Sequence, residues 1–251
     1  MPELGRLAIC LALLFAGYAV VAGVAAGLTR RAHLTRSAER AAYAVFGLVW
    51  LAAGILLRAL LQHDFSLEYV AAYSSSTLPV QYTVAALWGG QKGSLLFWTV
   101  MLTLFSTLVQ LQNRDRNRAL MPWVTATLMT ISAFFLSLLT FVTDPFERLA
   151  RPALEGADLN PLLQNYWMTI HPPSLYTGYV SASVPFAFAI AALATGQLGD
   201  QWIRTTRRWA LFSWFFLSLG NLFGARWAYE VLGWGGYWAW DPVENAAFMP
   251  W

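Results

Sequence analysis

Cysteine is nearly absent: Cys10 is the single thiol in 251 residues. One thiol excludes both a disulfide framework and a zinc–thiolate site within the chain, so any further thiol chemistry has to come from a partner. Charge is scarce as well. Asp, Glu, Lys and Arg make up 12% of the residues, about half the share found in a water-soluble domain. Too few polar groups remain to build a solvated shell around a core. With 58% hydrophobic residues and a mean hydropathy of +0.49, the surface is expected to face lipid. No constellation supports nucleic-acid binding or hydrolase chemistry, and neither is expected.

What the chain does have is apolar length. Crossing the hydrocarbon core takes about 20 mostly apolar residues, and six stretches qualify: 7–28, 41–61, 94–111, 119–142, 175–194 and 209–229. A further apolar run, 80–87, is too short to cross and reads as a surface helix or part of an external loop. The small residues of 19–27 suggest a cleavable leader. However, the run 7–28 is too long for a leader's apolar core, and only Arg6 precedes it as positive charge. A retained first helix is expected. Pro185 predicts a kink in the fifth span, and Gly220, Asn221 and Gly224 predict a close or irregular helix contact in the sixth. The expected fold is all-α and membrane-embedded, one domain over 1–251 with about six transmembrane helices and an external tryptophan-rich segment at 233–251.

Connections between the spans alternate in charge. One set carries Arg30, Arg31, Arg36 and Arg40, then Arg114, Arg116 and Arg118, then Arg204, Arg207 and Arg208. The other is poor in base: 63–79 has none, 144–170 has Arg148 and Arg151, and nothing basic follows residue 229. By the positive-inside rule the arginine-rich loops face the cytoplasm and six crossings put both termini outside. Arg58 and Arg226 fall near the outer ends of their helices, where each can snorkel to the interface.

The last residues concentrate aromatic rings. Trp234, Tyr237, Trp238, Trp240 and Trp251 stand among Gly233, Gly235 and Gly236. An interfacial aromatic belt would scatter one or two rings per helix end. Rings packed among glycines, which let a flat object approach the backbone, suit a planar apolar ligand through contact area and offset stacking. Asp241 followed by Pro242 reads first as an N-cap with proline at the next position; direct ligand contact by Asp241 is the alternative.

Residues 234–246, Trp-Gly-Gly-Tyr-Trp-Ala-Trp-Asp-Pro-Val-Glu-Asn-Ala, resemble the tryptophan-rich signature of haem-handling cytochrome c biogenesis proteins. The Asp-Pro-x-Glu-Asn ending is more similar to the haem lyase subunit branch (CcmF/NrfE) than to the haem-delivery branch. Residues 2–5, Leu87-Trp88-Gly89-Gly90 through Gly93-Ser94-Leu95-Leu96, and His171-Pro172-Pro173 resemble three further segments of that branch. The likeness therefore extends over essentially the whole chain. It implies an inner-membrane protein that binds haem on the outer face and takes part in attaching it covalently to apocytochrome c. A haem chaperone and other maturation subunits would be its partners. Family members also continue beyond the point matching Trp251, with a second external histidine and a pair of intramembrane histidines. Where this sequence has Lys92, the family usually has an acidic residue.

Three histidines are present. His33 lies in an arginine-rich loop and reads as solvated; His63, beside Asp64, reads as an interfacial hydrogen-bonding group. His171 precedes Pro172 and Pro173, which suit a helix's first turn. That predicts an imidazole at the outer mouth of the fifth span, neutral in the field of the helix dipole and able to bind haem iron. In the resembled family the matching histidine is one of two axial ligands. Trp234, Tyr237, Trp238 and Trp240 would then support the ring, with Asp241 nearby. Arg226, Arg148 or Arg151 would meet propionates, and Lys92 would either do so or snorkel to the interface. Two other functions remain open: a haem carrier or exporter that forms no covalent bond, and a small-solute transporter with the tryptophans as a belt.

Overall fold

A computed structural model describes residues 1–233 and 236–251. Ten α-helices follow one another among the described residues: α1 (Pro2–Thr29), α2 (Ala32–Leu61), α3 (Glu68–Tyr73), α4 (Val80–Ala85), α5 (Gln91–Gln112), α6 (Met121–Phe141), α7 (Tyr166–Ser181), α8 (Ser183–Thr195), α9 (Gln201–Trp227) and α10 (Pro242–Phe248). Five helical stretches are long and apolar enough to cross a membrane: α1, α2, α5, α6 and the run Tyr166–Thr195 formed by α7 and α8 together. The sixth expected span, α9, has the length, at 27 residues. Asn221, Arg226 and its tryptophans dilute its hydropathy, which keeps it out of that group.

The helices pack with small residues inward. In α1 the buried stripe is Ala8, Ala12, Ala16, Ala19 and Ala26, while Leu14, Val21 and Leu28 stay about 70% exposed. Water-driven folding would bury the leucines; in lipid, close approach of backbones is what holds helices together. Gly23 shows the limit, since a Cβ there would come 2.9 Å from the carbonyl oxygen of Pro122 on α6.

One end of the bundle is covered by loops that hold each other. Leu67 forms an antiparallel bridge with Arg148, flanked by Glu68 N–H donating to the Glu147 carbonyl and Leu149 N–H to that of Ser66, both at 3.0 Å. Tyr69 is buried, donates to the carbonyl of Ala86 at 2.8 Å and accepts from the N–H of Gly90; burial pushes its phenol well above the usual value. Ion pairs join Arg6 to Asp144, Arg148 to Glu3, and Lys92 to both Glu68 and Glu147. The short run 80–87 forms α4 and a 3-10 turn within this cover, as expected.

The fifth span begins earlier than the prolines suggest. Asn165, whose side chain accepts from the N–H of Trp167 at 2.8 Å, is the cap. Pro172 and Pro173 sit inside the helix. The expected discontinuity near Pro185 appears at Ala182, between α7 and α8. Proline there removes the donor for the carbonyl four residues back, at Ser181.

Candidate haem-facing site

His171 occupies the sixth position of α7 rather than its first turn. Its state is therefore not set by the helix's open N–H groups. The controlling contact is with α9: Nδ1 lies 2.8 Å from the carbonyl oxygen of Gly220. A carbonyl only accepts, so Nδ1 carries the proton and the neutral ring keeps its lone pair on Nε2. Two glycines one helical turn apart make room for this. A Cβ at Gly220 would come 2.7 Å from the Cα of Leu175, and one at Gly224 would come 2.6 Å from Cε1 of His171. Gly178 on α7 faces Leu217 in the same way, and Ser213 donates to the Gly178 carbonyl at 2.5 Å. The close contact expected around Gly220 to Gly224 is thus the α7–α9 seam, and the imidazole of His171 lies in it.

Beyond α9 the chain makes a π-type turn, Ala228–Leu232, and enters the aromatic segment. Tyr237 stacks on Tyr229, with centroids 4.3 Å apart and planes 3° from parallel. Trp238 meets Trp240 edge-on at 5.7 Å, and both rings contact Phe248. Phe248 in turn stacks on Trp251 at 5.1 Å, whose indole N–H donates to the hydroxyl of Ser218 at 2.8 Å. The segment thus folds back along α9. Ser218 is nine residues short of the helix end, or about 13 Å. At 100° per residue, Trp214 and Ser218 sit roughly a third of a turn around α9 from the stripe that α7 covers. Among the described residues no hydrogen bond or ring contact joins His171 to Tyr237, Trp238 or Trp240. Trp234 lies outside the described residues.

The polar residues of the segment serve its own backbone. Asp241 caps α10 by accepting from the N–H of Glu244 at 2.7 Å, and Glu244 reaches back to the N–H groups of Ala239 and Asp241. This is a complete capping box, and it occupies the Asp241 carboxylate that was the alternative ligand contact. Trp238 is different: its indole N–H is buried without a partner among the described residues.

The cations expected near propionates are mostly engaged elsewhere. Arg226 pairs with Glu230 at 2.7 Å, Arg148 with Glu3 at 3.1 Å, and Lys92 is held between Glu68 and Glu147. Arg151 is exposed and has no ion pair among the described residues. His33 is exposed, as expected. His63 has its Nδ1 buried without a hydrogen bond among the described residues, and its backbone has φ of 52°. A band of rings that the sequence pattern does not single out lies between α5 and α7. Trp98 contacts Tyr176 and Tyr179, each at 5.2 Å, and Phe97 contacts Trp88 at 5.2 Å.

Comparison with known proteins bears on what this arrangement is for. The sequence model of the family described as Cytochrome C assembly protein matches residues 88–251. The cytochrome c-type biogenesis protein CcmF of Pseudomonas aeruginosa is 44% identical over 256 residues, covering 100% of this chain and 38% of that protein. CcmF of Escherichia coli K12 is 44% identical over 255 residues, covering 100% and 39%. NrfE of Haemophilus influenzae is 40% identical over 251 residues, covering 100% and 40%. A solved structure titled cytochrome c heme lyase CcmF superposes with a TM-score of 0.87 at 38% identity, over 100% of this chain and 40% of that one. The chain therefore spans about two fifths of the length of these relatives.

Proposed function

Because the chain belongs to the cytochrome c assembly protein family, we propose that it holds haem during attachment to apocytochrome c, and that His171 would bind the haem iron. The observation that carries this is the 2.8 Å contact between His171 Nδ1 and the Gly220 carbonyl. It fixes the tautomer and points the chemistry to Nε2, the donor that haem iron takes. The residues present fit haem in a second respect. Tyr237, Trp240 and Trp251 are about half exposed or more, and the Trp238 indole N–H has no partner among the described residues. These aromatic groups, together with Trp234, would support the ring.

A bound haem supplies the vinyl groups to which the cysteine thiols of an apocytochrome c add. This chain's own contribution is to hold, orient and shield. The α7–α9 seam keeps the imidazole in one rotamer and one tautomer. Arg151 is available for a propionate. Ligation as a whole is proposed for the full-length relatives, and haem holding for this chain. We place it in the bacterial inner membrane, with the loop-covered end outside and the arginine-rich end in the cytoplasm. A haem chaperone and other maturation subunits would be its partners.

The test is an optical titration of the purified protein with haem. A haem-bound spectrum is expected from the native chain and should be lost in His171→Ala, while Asp241→Ala, which loosens α10 and the rings before it but leaves His171 in place, should retain it. An unchanged spectrum in His171→Ala would remove that residue from the site.

A further inference from the structure

A second feature lies at the opposite end of the bundle. Between the C-terminal turns of α5 and the N-terminal turns of α9 is a cleft of about 910 Å³. Its rim carries Arg114, Arg116, Arg204 and Arg208, with Asp115 in the lining and Asp200 beside Arg204, which leaves a net positive charge. Arg204 is paired with Asp200, whereas Arg114, Arg116 and Arg208 have no ion pair among the described residues. The floor is apolar. Phe105 meets Trp209 and Phe212 edge-on at 5.6 and 5.9 Å, bridging the two helices, and Leu108 lies beside them. Phe105 is seven residues before the end of α5, which puts the floor about 10 Å below the rim.

This combination selects its ligand. Guanidinium groups offer forked donors suited to phosphate oxygens. A soluble phosphate would engage the rim and leave the ring-lined floor hydrated. A phospholipid satisfies both levels, with its head group at the arginines and an acyl chain on the rings. Net positive charge favours a head group with net negative charge over a zwitterionic one. We propose that this cleft is a binding site for an anionic phospholipid. The site does not depend on haem binding, and its failure would leave the reading of His171 untouched.

The protein in nanodiscs of mixed phosphatidylglycerol and phosphatidylcholine, released into a native mass spectrometer, provides the test. Bound phosphatidylglycerol should exceed phosphatidylcholine, and Arg114→Gln with Arg208→Gln should cut its retention by about tenfold, the worth of one strong charged contact. Arg36→Gln with Arg40→Gln removes the same charge from the arginine-rich end but outside the cleft, and should change retention little. Leu108→Trp keeps every charge and fills the floor. It should also reduce retention, and it stands in if the arginine pair fails to fold. Equal retention of the two lipids, equal loss in both arginine pairs, or full retention in Leu108→Trp would overturn the proposal. Displacement of the lipid by millimolar inorganic phosphate would assign the cleft to a soluble ligand instead.

Discussion

The loops that cover one end of the bundle and the aromatic segment that follows α9 both lie outside the long helices, yet they satisfy their polar groups in opposite ways. The loop cover is tied across the chain: a backbone bridge joins Leu67 to Arg148, and ion pairs span 24 to 145 residues. Each partner comes from a different loop or helix end, so removing one loosens several elements. The aromatic segment is tied mostly to itself, through the Asp241–Glu244 box and the rings of Trp238, Trp240 and Phe248. Its described polar link to the bundle is Trp251 to Ser218. A cover closed this way is scaffolding, whereas half-exposed rings and an indole N–H unpaired among the described residues fit the ring-supporting role proposed for the segment.

The sharpest way to break the contrast is Gly156→Val. A Cβ at Gly156 would run into the carbonyl oxygen of Ser74 and come 2.9 Å from the ring of Phe65. The adjacent bonds, Ala157 N–H to the Ala71 carbonyl at 2.7 Å and Asp158 N–H to that of Ser74 at 3.2 Å, leave the loop little room to retreat. The expected cost is about 2–3 kcal/mol, in the range of overpacked cores. Thermal unfolding in detergent should show it as a lower midpoint. An unchanged midpoint would mean that the loops are not rigidly joined.

Much of this scaffold is legible in the sequence, and what is not legible has identifiable causes. Apolar length marks the spans, and the pair Gly220 and Gly224 marks the α7–α9 seam, because both signals are local. The Asp241-Pro242 cap is local too. The start of α7 is misread because Pro172-Pro173 is the commoner signature of a first turn, while Asn165, six residues ahead of His171, is the actual cap. The roles of Lys92 and Arg148 are invisible because their carboxylate partners stand 24 to 145 residues away. The same is true of the bond from His171 to Gly220, 49 residues distant, which controls the tautomer more directly than the helix end that the local pattern suggests.

Lys92→Met should produce a smaller effect with a distinctive pH dependence. It leaves Glu68 and Glu147 facing each other without the cation between them. In the native chain Lys92 holds the Glu147 carboxyl below the ordinary carboxylate value. A carboxyl lowered in the folded state contributes stability above its unfolded value, about 4.3. That contribution is lost as pH falls through the folded value. The difference in melting midpoint between the native chain and Lys92→Met should therefore be full at neutral pH and close as the medium is acidified below about pH 4. A difference that stayed constant with pH would assign the effect to packing of the lysine stem instead.

Asp241→Ala should have the smallest effect on the bundle and so sharpens the comparison from the other side. Loss of an N-cap costs about 1 kcal/mol, and here the capping box also holds the turn at Trp240, whose φ is 57°. That cost falls on α10 and on the alignment of Trp238 and Trp240, while the helices before it keep their contacts. The melting midpoint should therefore stay within experimental error of the native value, whereas amide exchange within 242–248 should speed up by about fivefold, the equivalent of roughly 1 kcal/mol. If the whole bundle melted earlier, the segment would be a structural prop of α9, and its exposed rings would have to be explained by packing rather than by a ligand.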